Sequence, residues 1–255
     1  MIDTHAHLDF PQYDKDRDKV IEEAFASGLK AIINIGVDLE SSQKSIKLAE
    51  KYKNIYATVG FHPHDASKLS KEAFIELEKL ASHPRVVAIG EIGLDFYRNL
   101  SPEDVQIKAF KEQIELAKKL NLPIVVHIRN AYEKALEILR EKATGMQGVL
   151  HCFSGDENEA KEALEMGFYL SFNGTLTYRN SRSAEIVKKI PLSSILVETD
   201  CPYLTPEPLR GKRNEPKLVR LVTEKIVKLS SSHSFKETDE IFTQNAKKLF
   251  NLDLK

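Results

Sequence analysis

The chain has 255 residues, with 37 Lys+Arg against 38 Asp+Glu and a formal net charge of −1. That balance argues against a protein that coats a polyanion over its whole surface and leaves room for an enzyme that grips one locally. A hydrophobic fraction of 42% supports a large core, two cysteines build no disulfide framework, and no apolar run approaches the ~20 residues of a membrane helix.

Short apolar, β-branched runs alternate with charged amphipathic segments. A strand is predicted at residues 1–7, then a helix at 14–27; a strand at 31–37, a helix at 41–53; a strand at 55–61, a helix at 71–82. The pattern continues with a strand at 86–94 and a helix at 102–120, where Ser101-Pro102-Glu103-Asp104 predicts a Ser101 cap, proline in the first turn and acids toward the helix dipole. Strands at 124–128, 149–153, 168–172 and 195–199 alternate with helices at 131–142, 157–166, 183–189 and 216–229, and a last helix is expected at 237–250. Eight strand-then-helix repeats predict parallel strands closed into a (β/α)8 TIM barrel of the α/β class, a single domain over residues 1–255. The amino terminus lacks a basic stretch followed by an apolar one, so a cytoplasmic protein is expected; a monomer is expected by default.

In such a barrel the active site lies at the carboxyl ends of the strands. Those ends carry His5 and His7, His62 and His64, Glu91, His127 and Arg129, His151, then Glu198 and Asp200. Positions i and i+2 of a strand share a face, so His5 and His7 can grip one cation. Alone, a His-x-His pair is weak, an Asp at a strand end is more often a cap, and His127 between Val126 and Ile128 reads equally as a core histidine. Their joint placement on one rim is what favours a divalent metal, held by His5, His7, Glu91, His127, His151 and Asp200. Six donors exceed what one tetrahedral ion uses, so two divalent ions (Zn, Mn, Mg or Fe) are expected, with one carboxylate able to bridge them.

Other rim residues keep two readings. His62 and His64 either touch substrate or shape their loop. Arg129 meets an anion or a structural acid. Glu198 supports a ligand or belongs to a buried network, and Asn173 donates to substrate or closes a turn. Arg210, Lys212 and Arg213 hold phosphates or form a solvated loop. Cys152 and Cys201 directly follow His151 and Asp200, so strand alternation turns them away from the site as small buried residues.

The motifs resemble the TatD-type deoxyribonucleases of the amidohydrolase superfamily: Asp3-Thr4-His5-Ala6-His7-Leu8-Asp9, Gly60-Phe61-His62-Pro63-His64, Gly90-Glu91-Ile92-Gly93-Leu94-Asp95-Phe96-Tyr97, His127-Ile128-Arg129, His151-Cys152-Phe153-Ser154-Gly155, Glu198-Thr199-Asp200-Cys201-Pro202-Tyr203-Leu204 and Arg210-Gly211-Lys212-Arg213-Asn214-Glu215-Pro216. The His-x-His start is common to the superfamily; the segments at strands four, six and eight are specific together. The resemblance implies a metal-dependent hydrolase of DNA phosphodiesters, trimming 3′ to 5′, with His5, His7, Glu91 and Asp200 on one ion and Glu91, His127 and His151 on the other. No lysine lies between Val86 and Asp95, so Glu91 replaces the carboxylated lysine that bridges metals in many relatives. The expected catalytic pair is Asp200, which orients a water and takes its proton as a metal-activated hydroxide forms, and Glu91. His62, Arg129, Arg210 and Arg213 are the expected substrate contacts. The rival readings are hydrolysis of an aminoacyl-tRNA ester, a phosphotriester or a small cyclic amide on the same centre, and a non-catalytic barrel that binds nucleic acid.

Overall fold

The computed structural model describes residues 1–230 and 233–254; Ser231, Ser232 and Lys255 of the expected domain lie outside the described residues. Eight parallel strands pair in chain order: β1 (Ile2–Ala6), β2 (Ala31–Ile35), β3 (Ile55–Val59), β4 (Val86–Asp95), β5 (Ile124–Arg129), β6 (Gly148–Leu150), β7 (Tyr169–Phe172) and β8 (Ile195–Val197). The crossovers are α1 (Arg17–Ala26), α2 (Leu39–Lys51), α3 (Lys71–Ala81), α4 (Glu103–Leu120), α5 (Tyr132–Lys142), α6 (Glu157–Glu165) and α7 (Ser183–Val187), followed by α8 (Val219–Ser230) and α9 (Phe235–Phe250). Ala6 bridges Cys201 in parallel, and the Asp200 N–H donates to the His5 carbonyl at 2.8 Å. The expected eight-stranded barrel is therefore the fold, with β1 and β8 meeting at its seam.

The apolar residues sort into two layers. Val125 faces the barrel interior with Ile2, Ile33, Tyr56, Val149 and Leu196, while its neighbours Ile124 and Val126 pack outward against the helices. That alternation explains why β5 reads as an uninterrupted apolar run: both faces are buried. Ala246, Leu249 and Phe250 of α9 join the interior cluster. The amino-terminal ammonium, at the start of β1, pairs with Asp239 of α9 at 3.0 Å, so α9 covers the end of the barrel opposite the strand carboxyl termini.

Two local expectations are corrected. Ser101 does not cap α4: Pro102 holds that position, and the Ser101 hydroxyl donates to the His64 carbonyl at 2.9 Å and accepts the Ser67 N–H at 3.1 Å. It ties the loop after β3 to the loop after β4 instead. The sixth strand ends at Leu150 rather than at residue 153, because Cys152 takes a left-handed φ of 48° that no strand continues. Among the described residues no helix is long and apolar enough to cross a membrane.

Candidate metal centre

Simple alternation delivers three of the site residues. Val125, Val149 and Leu196 face inward, so His127, His151 and Glu198, each two residues on, face the same side at the strand ends. Two strands need an irregularity. From Ile2, strict alternation would put Thr4 and Ala6 inside; the pairing of β1 with β2 shifts between Asp3 and Ala6, and His5 turns to the centre while Ala6 joins the outer layer. On β4 the register with β5 shifts between Ile89 and Ile92, and Glu91 enters the site while Ile92 and Leu94 pack outward. Such shifts re-aim a side chain without ending the strand.

The donor atoms converge in two groups. His5 Nε2 lies 3.2 Å from His7 Nε2, 3.7 Å from Asp200 Oδ1 and 3.3 Å from Glu91 Oε2. His7 Nε2 lies 3.4 Å from Asp200 Oδ1 and 3.8 Å from Glu91 Oε2. On the other side, Glu91 Oε1 lies 2.8 Å from His127 Nδ1 and 2.9 Å from His151 Nε2, and those nitrogens are 3.3 Å apart. Ligands about 2.1 Å from a tetrahedral ion stand roughly 3.4 Å from one another, so both groups have the spacing of a divalent-cation shell. Four histidines and two carboxylates turn their donor atoms toward one another in two adjoining clusters. Packing alone gives no reason to collect such atoms. The residues present fit a metal.

The electrostatics agree. Burial by itself would raise the Glu91 pKa, but His151, His62 and His127 outweigh it and hold the carboxyl well below the usual range. Burial would lower His151, yet Glu91 and Glu198 carry it well above an ordinary histidine. Asp200 is likewise lowered against its burial, by His7, His5 and His151. Anionic oxygens thus draw a proton onto His151, while burial and His151 hold His5 below the ordinary histidine range; a divalent cation would displace the His151 proton.

Asp95 and Glu198 surround this core. Glu198, buried, approaches His151 Nδ1 at 3.4 Å and accepts the Cys152 N–H at 2.8 Å and the Asn173 amide at 3.3 Å. Asn173 also accepts from the Thr175 N–H and hydroxyl, so it closes the turn after β7 and steadies Glu198 at once. His62 comes within 3.3 Å of Glu91 Oε1, nearer the ligand cluster than a purely outer contact would lie. Its Nδ1 accepts the His64 N–H at 3.1 Å, which assigns the proton of the neutral ring to Nε2, facing Glu91. His64 meets Asp95 at 2.7 Å, and Asp95 lies 3.4 Å from His127 Nε2. Sequence reasoning assigned Asp95 no role, although it lies in one of the three segments that are specific together.

The cationic candidates part ways. Arg129 is exposed and lies 4.1 Å over the Tyr97 ring; Arg210 is exposed and lies 4.3 Å over the Tyr178 ring. Arg213 is engaged: it makes a bidentate pair with Asp16, both bonds 2.8 Å, and a third bond to Glu215 at 3.0 Å. Cys201 is fully buried; Cys152 is half-buried and lies past the strand end, so its direction follows from the turn rather than from strand alternation. Sequence reasoning missed two further buried residues: Asn34, which accepts the Leu8 N–H at 2.7 Å and donates to Asp9 at 2.9 Å, and Gln106, which holds the Asp95 N–H at 2.8 Å. Both are polar residues at positions where their elements are otherwise apolar, which was the available signal.

Known proteins resemble this chain in sequence and fold. A family model described as TatD-related DNase matches residues 2–251. An uncharacterized metal-dependent hydrolase of Bacillus subtilis, YabD, is 45% identical over 255 residues, covering 99% of this chain and 100% of its own length. The 3′-5′ ssDNA/RNA exonuclease TatD of Salmonella typhimurium is 38% identical over 233 residues, 89% of this chain and 90% of its own. The crystal structure of YjjV, a TatD homolog from Escherichia coli, superposes with a TM-score of 0.92 at 31% identity, over 99% of this chain and 98% of that one. The chain belongs to the TatD-related DNase family of metal-dependent hydrolases.

Proposed function

We propose that this chain is a nuclease that trims single-stranded DNA from its 3′ end by hydrolysing phosphodiester bonds at a two-ion centre. The observation that carries the reading is the division of Glu91: one carboxylate oxygen faces His5 and His7, the other His127 and His151. A carboxylate so divided is suited to bridge two ions, which in such centres stand ~3.5–4 Å apart. The family description and the name of the Salmonella relative support a nucleic-acid substrate.

His5, His7, Glu91 and Asp200 would hold one ion, and Glu91, His127 and His151 the other. Bound divalent ions supply Lewis acidity, polarising a phosphoryl oxygen and acidifying a coordinated water. The protein's own groups do the rest. The Asp200 carboxylate, 15% exposed and at the rim, accepts the proton of the attacking water. Glu198 and Asp95 fix the rings of His151 and His127 so that their nitrogens keep one direction. Arg129, exposed on the same rim, offsets phosphate charge.

The test is cleavage of 5′-labelled single-stranded and duplex oligonucleotides, with aminoacyl-tRNA alongside, by protein loaded with Zn, Mn, Mg or Fe. Shortening of the single strand from its 3′ end is expected, abolished by chelator. Turnover of the tRNA ester with intact DNA, or binding of DNA with no cleavage under any metal, overturns the proposal.

A further inference from the structure

The chain has ten arginines. Five have their guanidinium groups engaged: Arg17 with Asp14, Arg85 with backbone carbonyls, Arg140 with Glu162, Arg213 with Asp16 and Arg220 with Glu224. Among the described residues the other five, Arg98, Arg129, Arg179, Arg182 and Arg210, make no side-chain hydrogen bond or ion pair, and all are exposed. Their positions are not scattered. Arg98 follows β4, Arg129 ends β5, Arg179 and Arg182 follow β7, and Arg210 follows β8, so all five stand on the rim that carries the metal centre. A chain with net charge −1 has concentrated its unneutralised guanidinium groups where a polyanion would arrive.

Three of the five line one cavity. It has a volume of about 580 Å³ and is bounded by Arg179, Arg182 and Arg210 together with Tyr178, Ser154 and Thr175. That volume lies within the roughly 300–1,000 Å³ of small-ligand pockets. Its parts are held in place. The Tyr178 hydroxyl donates to the Thr205 carbonyl at 3.1 Å and so fixes the ring on which Arg210 stacks. The Thr175 hydroxyl donates to Asn173, whose amide reaches Glu198 beside His151, so the cavity wall is tied through three successive interactions to the metal centre. Ser154 lies three residues past His151 on the same loop.

We propose that this cavity, between the loops after β7 and β8, is a phosphate subsite for a nucleic-acid strand, holding phosphodiesters away from the bond being cut, with Arg179, Arg182 and Arg210 as its cations. The inference builds on the proposed nuclease reading and adds the place where the uncut strand rests. Three guanidinium groups that form no ion pair among the described residues match a chain of phosphates better than a single carboxylate or a neutral base. Hydroxyls of serine and threonine are the usual accessory donors to phosphate oxygens. Contacts of this kind carry no sequence information, so the subsite confers affinity for a strand rather than for a base order.

The experiment uses the whole chain in chelator and a 5′-fluorescein oligothymidylate, with binding read by anisotropy over a salt series. For a single strand, removing one phosphate-binding cation flattens the plot of log K against log salt by about 0.7. The double variant Arg179→Ala/Arg182→Ala should flatten it by about 1.4 and weaken binding on the order of tenfold at low salt. Arg140→Ala removes an arginine paired with Glu162 on the helical layer and should leave the slope unchanged. Equal slopes and affinities in wild type and double variant overturn the subsite, as does an equal effect of Arg140→Ala or no binding by the wild type. A wild type that binds through these arginines yet cleaves nothing under any metal overturns the nuclease reading and keeps the subsite. Cleavage by the wild type with unchanged binding in the double variant does the reverse.

Discussion

Gln113 of α4 holds Phe61 by both ends of its amide: the Phe61 N–H donates to Oε1 at 2.7 Å, and Nε2 donates to the Phe61 carbonyl at 3.1 Å. Both residues are buried, and Phe61 immediately precedes His62, which faces Glu91. A helix on the outer layer thus sets the exit of β3 into the site. Seven residues earlier on the same helix, Gln106 does the same for Asp95 through its backbone N–H and carbonyl.

Replacing Gln113 by leucine preserves volume and leaves two buried backbone groups of Phe61 without partners. Each orphaned group costs about 1–3 kcal/mol, so a destabilisation of roughly 3 kcal/mol in urea denaturation is expected. Turnover should fall as well, because His62 is no longer supported. A variant as stable and as active as wild type would remove Gln113 from this role.

Glu91→Gln keeps the shape of the proposed bridging side chain and removes its charge. Changes to groups that merely support metal ligands cost 10–100-fold, so activity should fall by more than about 100-fold here. The metal content of the purified variant, measured by plasma mass spectrometry, should drop below that of wild type, with two ions per chain expected in the latter. A variant with full metal content and full turnover would refute the bridging role.

Much of the barrel was legible because its strands are buried on both faces and its helices are amphipathic. His127, His151 and Glu198 could be placed from Val125, Val149 and Leu196 by alternation alone. His5 and Glu91 could not: the register shifts on β1 and β4 reverse the face that alternation assigns, and no residue pattern announces them. Ser101 misled because a serine before Pro-Glu-Asp is a good cap, and the sequence does not show that its hydroxyl is taken by His64 and Ser67. The partner of Arg213 was invisible for a different reason, since Asp16 lies 197 positions away. Gln106 and Gln113 were visible in principle, as two polar residues on the apolar stripe of α4.

Asp3 joins the two ends of the sheet. Its carboxyl is fully buried, which pushes its pKa up to about 8, and it accepts the Thr199 N–H at 2.9 Å and the Thr199 hydroxyl at 2.6 Å, with the His5 N–H at 3.3 Å. Two of the proposed metal ligands, His5 and Asp200, flank this seam. Asp3→Ala strips the Thr199 donors of their acceptor and should cost roughly 3 kcal/mol of stability. Metal affinity, measured by competition with a chromophoric chelator, should weaken in parallel. Asp3→Asn retains one acceptor oxygen and should recover part of both; equal behaviour of the two variants would show that the hydrogen bonds are not what matters.

Gly93 tests how closely β4 and β5 must approach for Glu91 and His127 to meet. It pairs in register with His127, has a φ of +139°, and a Cβ added there would lie 2.0 Å from the His127 carbonyl oxygen. Neither backbone can yield without separating the Glu91 carboxylate from the His127 ring, now 2.8 Å apart. Gly93→Ala should therefore cost roughly 3 kcal/mol or more and lower metal content. Gly167→Ala is the comparison: its φ of +86° also strains alanine, but nothing lies within 4 Å of the added Cβ, and a cost of about 1 kcal/mol is expected. If the two variants are destabilised equally in chemical denaturation, backbone strain explains both and the close approach of Gly93 to His127 explains neither.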